Sequence, residues 1–194
     1  MEEKIIIQPL EDSHIVDVVN LHIDNLKEGL FYRLGGELIK ALHYEILNSD
    51  LGFSFIATHG DNVVGVITCS LKTEMLLKKF VKSNFSAIVK SILLKILKDP
   101  WFIKWVFQTI SNKKEKGSMI MFLIVSQDMR KMGIGTSLLT KAIETFENLG
   151  GKKIFVEVNK DNPAKVFYEK LDFETELEYK IYDKTRVIYL KELN

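Results

Sequence analysis

The sequence predicts an α/β (α+β) fold, a mixed β-sheet flanked by helices, on three observations. Short runs rich in β-branched and aromatic residues recur along the chain, as in FSFIATH (53–59), VVGVITCS (63–70) and KIFVEVN (153–159). Segments with apolar residues every three or four positions lie between such runs. The continuously apolar MIMFLIV (119–125) precedes one of these segments and a further strand, the pattern of a parallel β-α-β unit with a strand buried on both faces.

Taken in order, residues 4–8 read as a strand ended by Pro9. Asp12 and Ser13 are N-cap candidates for a helix carrying Ile15, Val18, Val19, His22 and Leu26. A second helix follows Gly35-Gly36, with Leu38, Ile39, Leu42, Ile46 and Leu47 inward. Strands 53–59 and 63–70 flank Gly60-Asp61-Asn62, a hairpin turn. After the apolar strand, 134–149 reads as a helix stopped by Gly150-Gly151. Strand 153–159 leads to a short helix over 163–171, with Asn162 as N-cap and Pro163 at its first position. Strands 173–182 and 186–190 close the order around an Asp183-Lys184 turn.

The length of 194 residues suits one domain, 1–194. Residues 71–117 form an insert holding 11 Lys, no Arg and 3 acidic residues, within a chain of net charge +1. Asp99-Pro100 marks a helix start inside it, and two or three amphipathic helices are expected. The near-neutral whole gives no nucleic-acid signature. One cysteine excludes an internal disulfide, and the four histidines lack metal-ligand spacing, so no metal is expected. MEEKIII lacks a signal-peptide core, and a cytoplasmic location is the expectation.

VSQDMRKMGIGTSLL (125–139) carries chemistry that packing alone does not explain. A chain turning from a buried strand into a helix presents amides without intrahelical partners. Glycine there admits positive φ and leaves room for a ligand, and the helix dipole favours an anion such as a diphosphate. The pattern by itself also fits a plain tight turn. G-I-G-T-S-L lacks the third glycine of a dinucleotide fingerprint, and no Walker loop is present.

The stretch resembles the acetyl-CoA-binding motif [R/Q]-x-x-G-x-[G/A] of the GCN5-related N-acetyltransferase (GNAT) family. NPAKVFYEKLDF (162–173) is similar to that family's second motif, N-x-x-A-x-x-[F/L]-Y-E-K-x-G-F. The resemblance implies a partly splayed sheet and acetyl-CoA as acyl donor. It implies that Leu123, Ile124 and Val125 pair with the pantetheine arm. The pyrophosphate is then expected on Arg130, Lys131, Met132, Gly133, Ile134, Gly135 and Thr136. Asn162 and Tyr168 complete the cofactor contacts, and Tyr168 is the implied acid for the departing thiolate. Four departures stand out: Lys131 and Asp172 replace motif glycines, Gln127 stands where proline is frequent, and Asn162 lies one residue nearer the tyrosine.

Glu157, alternating with Phe155 and Asn159 on one strand face, is the candidate general base; His43 and His59 rank below it as surface or satisfied core residues. Tyr32 and Arg33, in GLFYRLGGELIKALHY (29–44), are candidate acceptor contacts that fit an exposed helix-to-helix turn equally well. The expected activity is acetyl transfer by direct attack to a primary amine of a small molecule, amino sugar or amino acid. A silent acyl-CoA-binding protein is the alternative. The insert is expected to pack over the sheet or against a second copy, as in a homodimer. Its lysines among Trp101, Phe102, Trp105 and Phe107 also suit weak contact with an anionic membrane surface.

Overall fold

The alternating runs at 53–59 and 63–70 pair as an antiparallel hairpin, β2 (Gly52–His59) and β3 (Asn62–Ser70), turned by Gly60 at φ 57°. A computed structural model describes residues 4–27, 29–111, 117–181 and 184–193. The hairpin sits between β1 (Ile5–Pro9) and β4 (Ser118–Val125), each antiparallel to the hairpin strand beside it. β5 (Lys153–Asn159), β6 (Glu174–Ile181) and β7 (Lys184–Glu192) complete the sheet. Its order among the described residues is β1-β2-β3-β4-β5-β7-β6. The expected turn at Asp183, and Tyr182 before it, lie outside the described residues.

Helices cover both faces. On one face lie α1 (Ile15–Asn25), α2 (Gly29–Leu34) and α3 (Gly36–Leu47). The insert joins that face as α4 (Thr73–Ser83), α5 (Phe85–Lys98) and α6 (Phe102–Ser111). α7 (Ile134–Asn148) and α8 (Ala164–Glu169) pack on the other face. α7 shows why the periodicity was legible: Ile134, Leu138, Leu139, Ala142 and Phe146 form its buried stripe. Full burial of a side chain such as Phe146 is worth about 1.5–3 kcal/mol. Gly150 and Gly151 end α7 by donating to Glu147 and Phe146 carbonyls, both at 2.8 Å, a Schellman stop with Gly150 at φ 76°.

Several local expectations need correction. Asp12 and Ser13 do not cap α1; they lie in a 3-10 turn, and the Glu11 amide donates to His14 Nδ1 at 3.2 Å. Residues 29–34 are helix α2 rather than a turn, pinned by Phe31 stacked edge-on against Phe80 and Phe122 at 5.7 Å each. Asp99 does receive the Trp101 amide at 3.1 Å, though α6 begins at Phe102. Phe102 is buried in the core and not part of an interfacial face, because it seats α6 on the sheet. The side chain of Trp105 and residue Glu115 lie outside the described residues. His43 is neither surface nor satisfied: it and His22 are fully buried beside Phe122, with no hydrogen-bond partner at any ring nitrogen.

β4 decides where a ligand can enter. It pairs in parallel with β5 only at Ser118–Ile154, Met119–Phe155 and Ile120–Val156. Beyond Ile120 the two strands diverge, leaving a fork open along the β5-side edge of β4. A bulge helps set it: Ile120 pairs with Cys69 and Phe122 with Thr68, so Met121 is an extra residue. The extra residue reverses alternation. Ile120, Leu123 and Val125 therefore face α7, whereas Phe122 and Ile124 face α1 and α3.

Candidate active site

The fork is flanked by a phenol on one face and a carboxylate on the other. Tyr168, on α8, is buried with Leu123 and Val125 in the α7-side cluster, 4% exposed, between Phe167 and Phe173. Burial pushes its phenol well above the usual tyrosine value, and the Cys69 thiol adds to that shift. Cys69 pairs with Ile120, the last β4 residue that also pairs with β5, and Tyr168 shares its buried cluster with both. Glu157 is the first β5 residue past that point and faces the opposite side from buried Val156 and Val158.

Glu157 does not stand alone. The Tyr179 hydroxyl donates to its Oε2 at 2.8 Å, and Arg186 Nε lies 3.7 Å from Oε1, a charge contact too long for a hydrogen bond. Tyr179 and Arg186 are directly paired across β6 and β7. Burial, then the charge of Glu157, raises the Tyr179 phenol strongly, so it remains a donor. These two residues escaped the sequence reading; the only available signal was alternation along the last two strands. His59 ends β2 at the hairpin, two strands away from β4, and is not brought to the fork.

Along the open edge, the Ser126 amide donates to the Val64 carbonyl at 2.8 Å. Antiparallel alternation then turns the Ile124 backbone toward Val66, and the Leu123 and Val125 backbone toward the fork. The Val125 carbonyl is already taken by Arg130 Nε at 3.2 Å. Leu123 and the Val125 amide thus offer the groups an extended ligand could pair with; Ile124 does not.

The turn into α7 follows from its residues. Gly133 occupies the N-cap at φ 80°, a left-handed conformation. The first intrahelical bond is Ser137 to the Gly133 carbonyl at 3.0 Å, so the amides of Ile134, Gly135 and Thr136 have no partner within the helix. A Cβ on Gly135 would meet Phe167 at 3.7 Å and Val125 at 3.8 Å, ordinary contacts that explain why a motif of this kind admits alanine there. Lys131 also sits at positive φ, 66°, and Asp172 at 61°; these are the two non-glycine residues so placed among the described residues. Each stands where its motif has glycine. Gln127 has a use that proline could not fill, because its amide donates to Asn25 Oδ1 at 3.0 Å. Asn162 Oδ1 accepts the Ala164 amide at 2.9 Å, so this side chain caps α8, which spans Ala164–Glu169 rather than 163–171. Met132 is exposed between the two left-handed residues.

Backbone strain here is measurable. Lys131→Gly is expected to raise unfolding free energy by about 1 kcal/mol, and Gly133→Ala to lower it by about 1–2 kcal/mol. Denaturant melts of the two variants would check both signs.

Tyr32 is half-buried and Arg33 exposed on α2, which packs on α3 and α5. They lie on the α1–α3 face of the sheet.

The sheet thus opens after one short parallel ladder, with the N-terminus of α7 following the open strand. The model of the acetyltransferase (GNAT) family matches residues 20–173, and the chain belongs to that family. It is, by class, an acetyltransferase. Solved structures agree in fold. The ribosomal-protein-S18-alanine N-acetyltransferase of Escherichia coli superposes with TM-score 0.66 at 12% identity, covering 98% of this chain and 94% of that one. Ard1 from Thermoplasma volcanium gives 0.65 at 17% identity, with 98% of each chain covered. Arabidopsis thaliana NAA60, solved in complex with acetyl-CoA, gives 0.63 at 15%, covering 97% and 98%. No curated protein matches the chain in sequence.

Proposed function

We propose that the chain transfers acetyl from acetyl-CoA to a primary amine of a small molecule, by direct attack, within a single domain of which 71–117 is an insertion. The fork between β4 and β5, with Tyr168 on one face and Glu157 on the other, carries this reading. The donor fits the α7 side: Leu123 and the Val125 amide would pair with its extended arm. The amides at the start of α7 would take the pyrophosphate, with Arg130 and Lys131 adding charge. Acetyl-CoA bound to NAA60 supports the same donor here. Cytoplasmic action accords with that donor.

In the proposed reaction, Glu157 removes a proton from the acceptor ammonium, directly or through one water, while Tyr179 and Arg186 hold the carboxylate in place. The amine nitrogen then bonds to the thioester carbonyl carbon, and β4 amides stabilise the oxyanion. The C–S bond breaks, the sulfur takes a proton from Tyr168, and the nitrogen's second proton, lost as the amide forms, restores the phenol through solvent. The products are an N-acetyl amine and the free thiol of CoA. Tyr32 and Arg33 would meet the acceptor from α2. Amino sugars and amino acids are the favoured acceptors.

Free-thiol release from acetyl-CoA, measured over amino sugars, amino acids, polyamines and N-terminal peptides, tests the reading. Release with a small amine supports it; acetyl-CoA binding without release for any amine overturns it in favour of a silent binding protein. Glu157→Gln is expected to lower kcat/KM about 10²-fold or more below the pKa of the acceptor, with acetyl-CoA affinity unchanged. Recovery of rate as the pH rises, when the amine deprotonates unaided, would mark the residue as the base; an unchanged pH profile would reject that role.

A further inference from the structure

The insert shows an apolar surface that the fold itself does not use. α5 has no buried residue. Phe85, Val89, Leu93 and Leu97 recur every four positions along it, forming one exposed row, with Leu97 81% exposed. Trp101 at 68% and Phe107 at 71% continue the apolar surface onto the α6 side. Together with α4, these helices hold most of the large apolar side chains exposed among the described residues. Exposure on this scale marks an interaction surface.

Charge separates the candidate occupants. Lys82, Lys90 and Lys98 are exposed beside this apolar surface, and none forms an ion pair with a described acidic side chain. Between α4 and α5 an open groove of about 450 Å³ has Leu77, Val81 and Phe85 in its lining and Lys78 and Lys82 beside them. Lys78 pairs with Glu74 at 2.7 Å, an exposed pair of little energetic weight. A two-fold dimer through this face would gather the lysines of both copies at one interface. An anionic surface instead meets every ammonium with opposite charge. The long lysine stems can lie along the apolar row while their heads reach phosphate.

We infer that the exposed face of α4, α5 and α6 docks the enzyme on an anionic lipid surface. Phe85, Leu93, Leu97, Trp101 and Phe107 enter the headgroup boundary, and the lysines contact lipid phosphates. The mode is interfacial: α5 has 14 residues, short of the roughly 20 a spanning helix needs. The same helices lean on the acceptor face. Ser91 Oγ donates to the Leu34 carbonyl at 2.5 Å, tying α5 to α2, and α6 touches β6. Docking would therefore place the elements around Tyr32 and Arg33 close to the bilayer.

Flotation with vesicles of phosphatidylcholine plus phosphatidylglycerol, against phosphatidylcholine alone, tests this on the full chain. Binding is expected only to the anionic vesicles and should weaken as salt rises. Lys82→Glu, Lys90→Glu and Lys98→Glu should each reduce it by about fivefold or more. Leu97→Ser should also reduce it, with an unchanged melting temperature because the side chain is exposed. No flotation with anionic vesicles, or equal flotation with neutral ones, overturns the inference. So does a concentration-dependent dimer in sedimentation that Leu97→Ser abolishes, which would assign the face to a second copy. Acetyl-CoA turnover in solution is independent of this result, so failure here leaves the acetyl-transfer reading standing.

Discussion

Acidification from pH 6.5 to about 4.5 is expected to remove roughly 5 kcal/mol of folding stability through two buried imidazoles. His22 and His43 are fully buried, 6.4 Å apart between ring centroids, with Phe122 packed against both. Burial lowers His22 from 6.5 to about 4. Burial, and then the neighbouring His22, lowers His43 to about 3. Above pH 6.5 both the folded and unfolded chains hold them neutral, so they contribute no pH dependence. Below 6.5 the unfolded chain binds protons that the folded chain refuses. Stability then falls by about 1.4 kcal/mol per pH unit for each imidazole until the folded values are reached. A loss of this size rivals the whole stability of an ordinary domain. Urea melts across this range would measure it. His43→Leu, which removes an imidazole without hydrogen-bond partners and keeps a helix-favouring residue on α3, should halve the slope. A stability that stays flat between pH 6.5 and about 5, or a slope unchanged in the variant, would reject the assignment.

Tyr168→Phe is expected to lower kcat by about 10²–10⁴-fold while leaving the fold intact. The ring packs against Phe167 at 5.2 Å and Phe173 at 5.4 Å, and phenylalanine preserves those contacts. Only the hydroxyl is lost. Because burial raises the phenol, it stays protonated through the working range and should contribute no limb to the pH–rate profile. Steady-state kinetics, acetyl-CoA affinity and melting temperature together decide the matter. A large fall in kcat with unchanged affinity and stability supports proton delivery to sulfur. Near-normal turnover would reject it, and a fall confined to affinity would reduce Tyr168 to a packing residue.

Much of this site was legible locally. The glycine-rich turn and NPAKVFYEK lie in contiguous stretches, and their residue types carry their own reasons. Even the departures from the motif were informative. Lys131 and Asp172 take up left-handed backbone where glycine would be unstrained, so the turn geometry persists although the residue has changed. The Met121 bulge was not legible, because MIMFLIV is apolar at every position and its pattern contains no register. Nor was the tether from Asn25 to Gln127, which joins residues 102 apart in the chain. The pairing of Tyr179 and Arg186 on Glu157 depends on the order β5-β7-β6.

By itself, then, the sequence determined the elements, the phosphate-friendly turn, and the family resemblance, because each rests on residues near one another in the chain. Tertiary structure alone decided that β4 leaves β5 after Ile120, that the phenol and carboxylate lie on opposite faces of the sheet there, and that two distant imidazoles are buried beside one phenylalanine. The reason is physical. Periodicity and backbone conformation act over a few residues, whereas strand order, register and burial are settled by contacts that the chain makes only once folded.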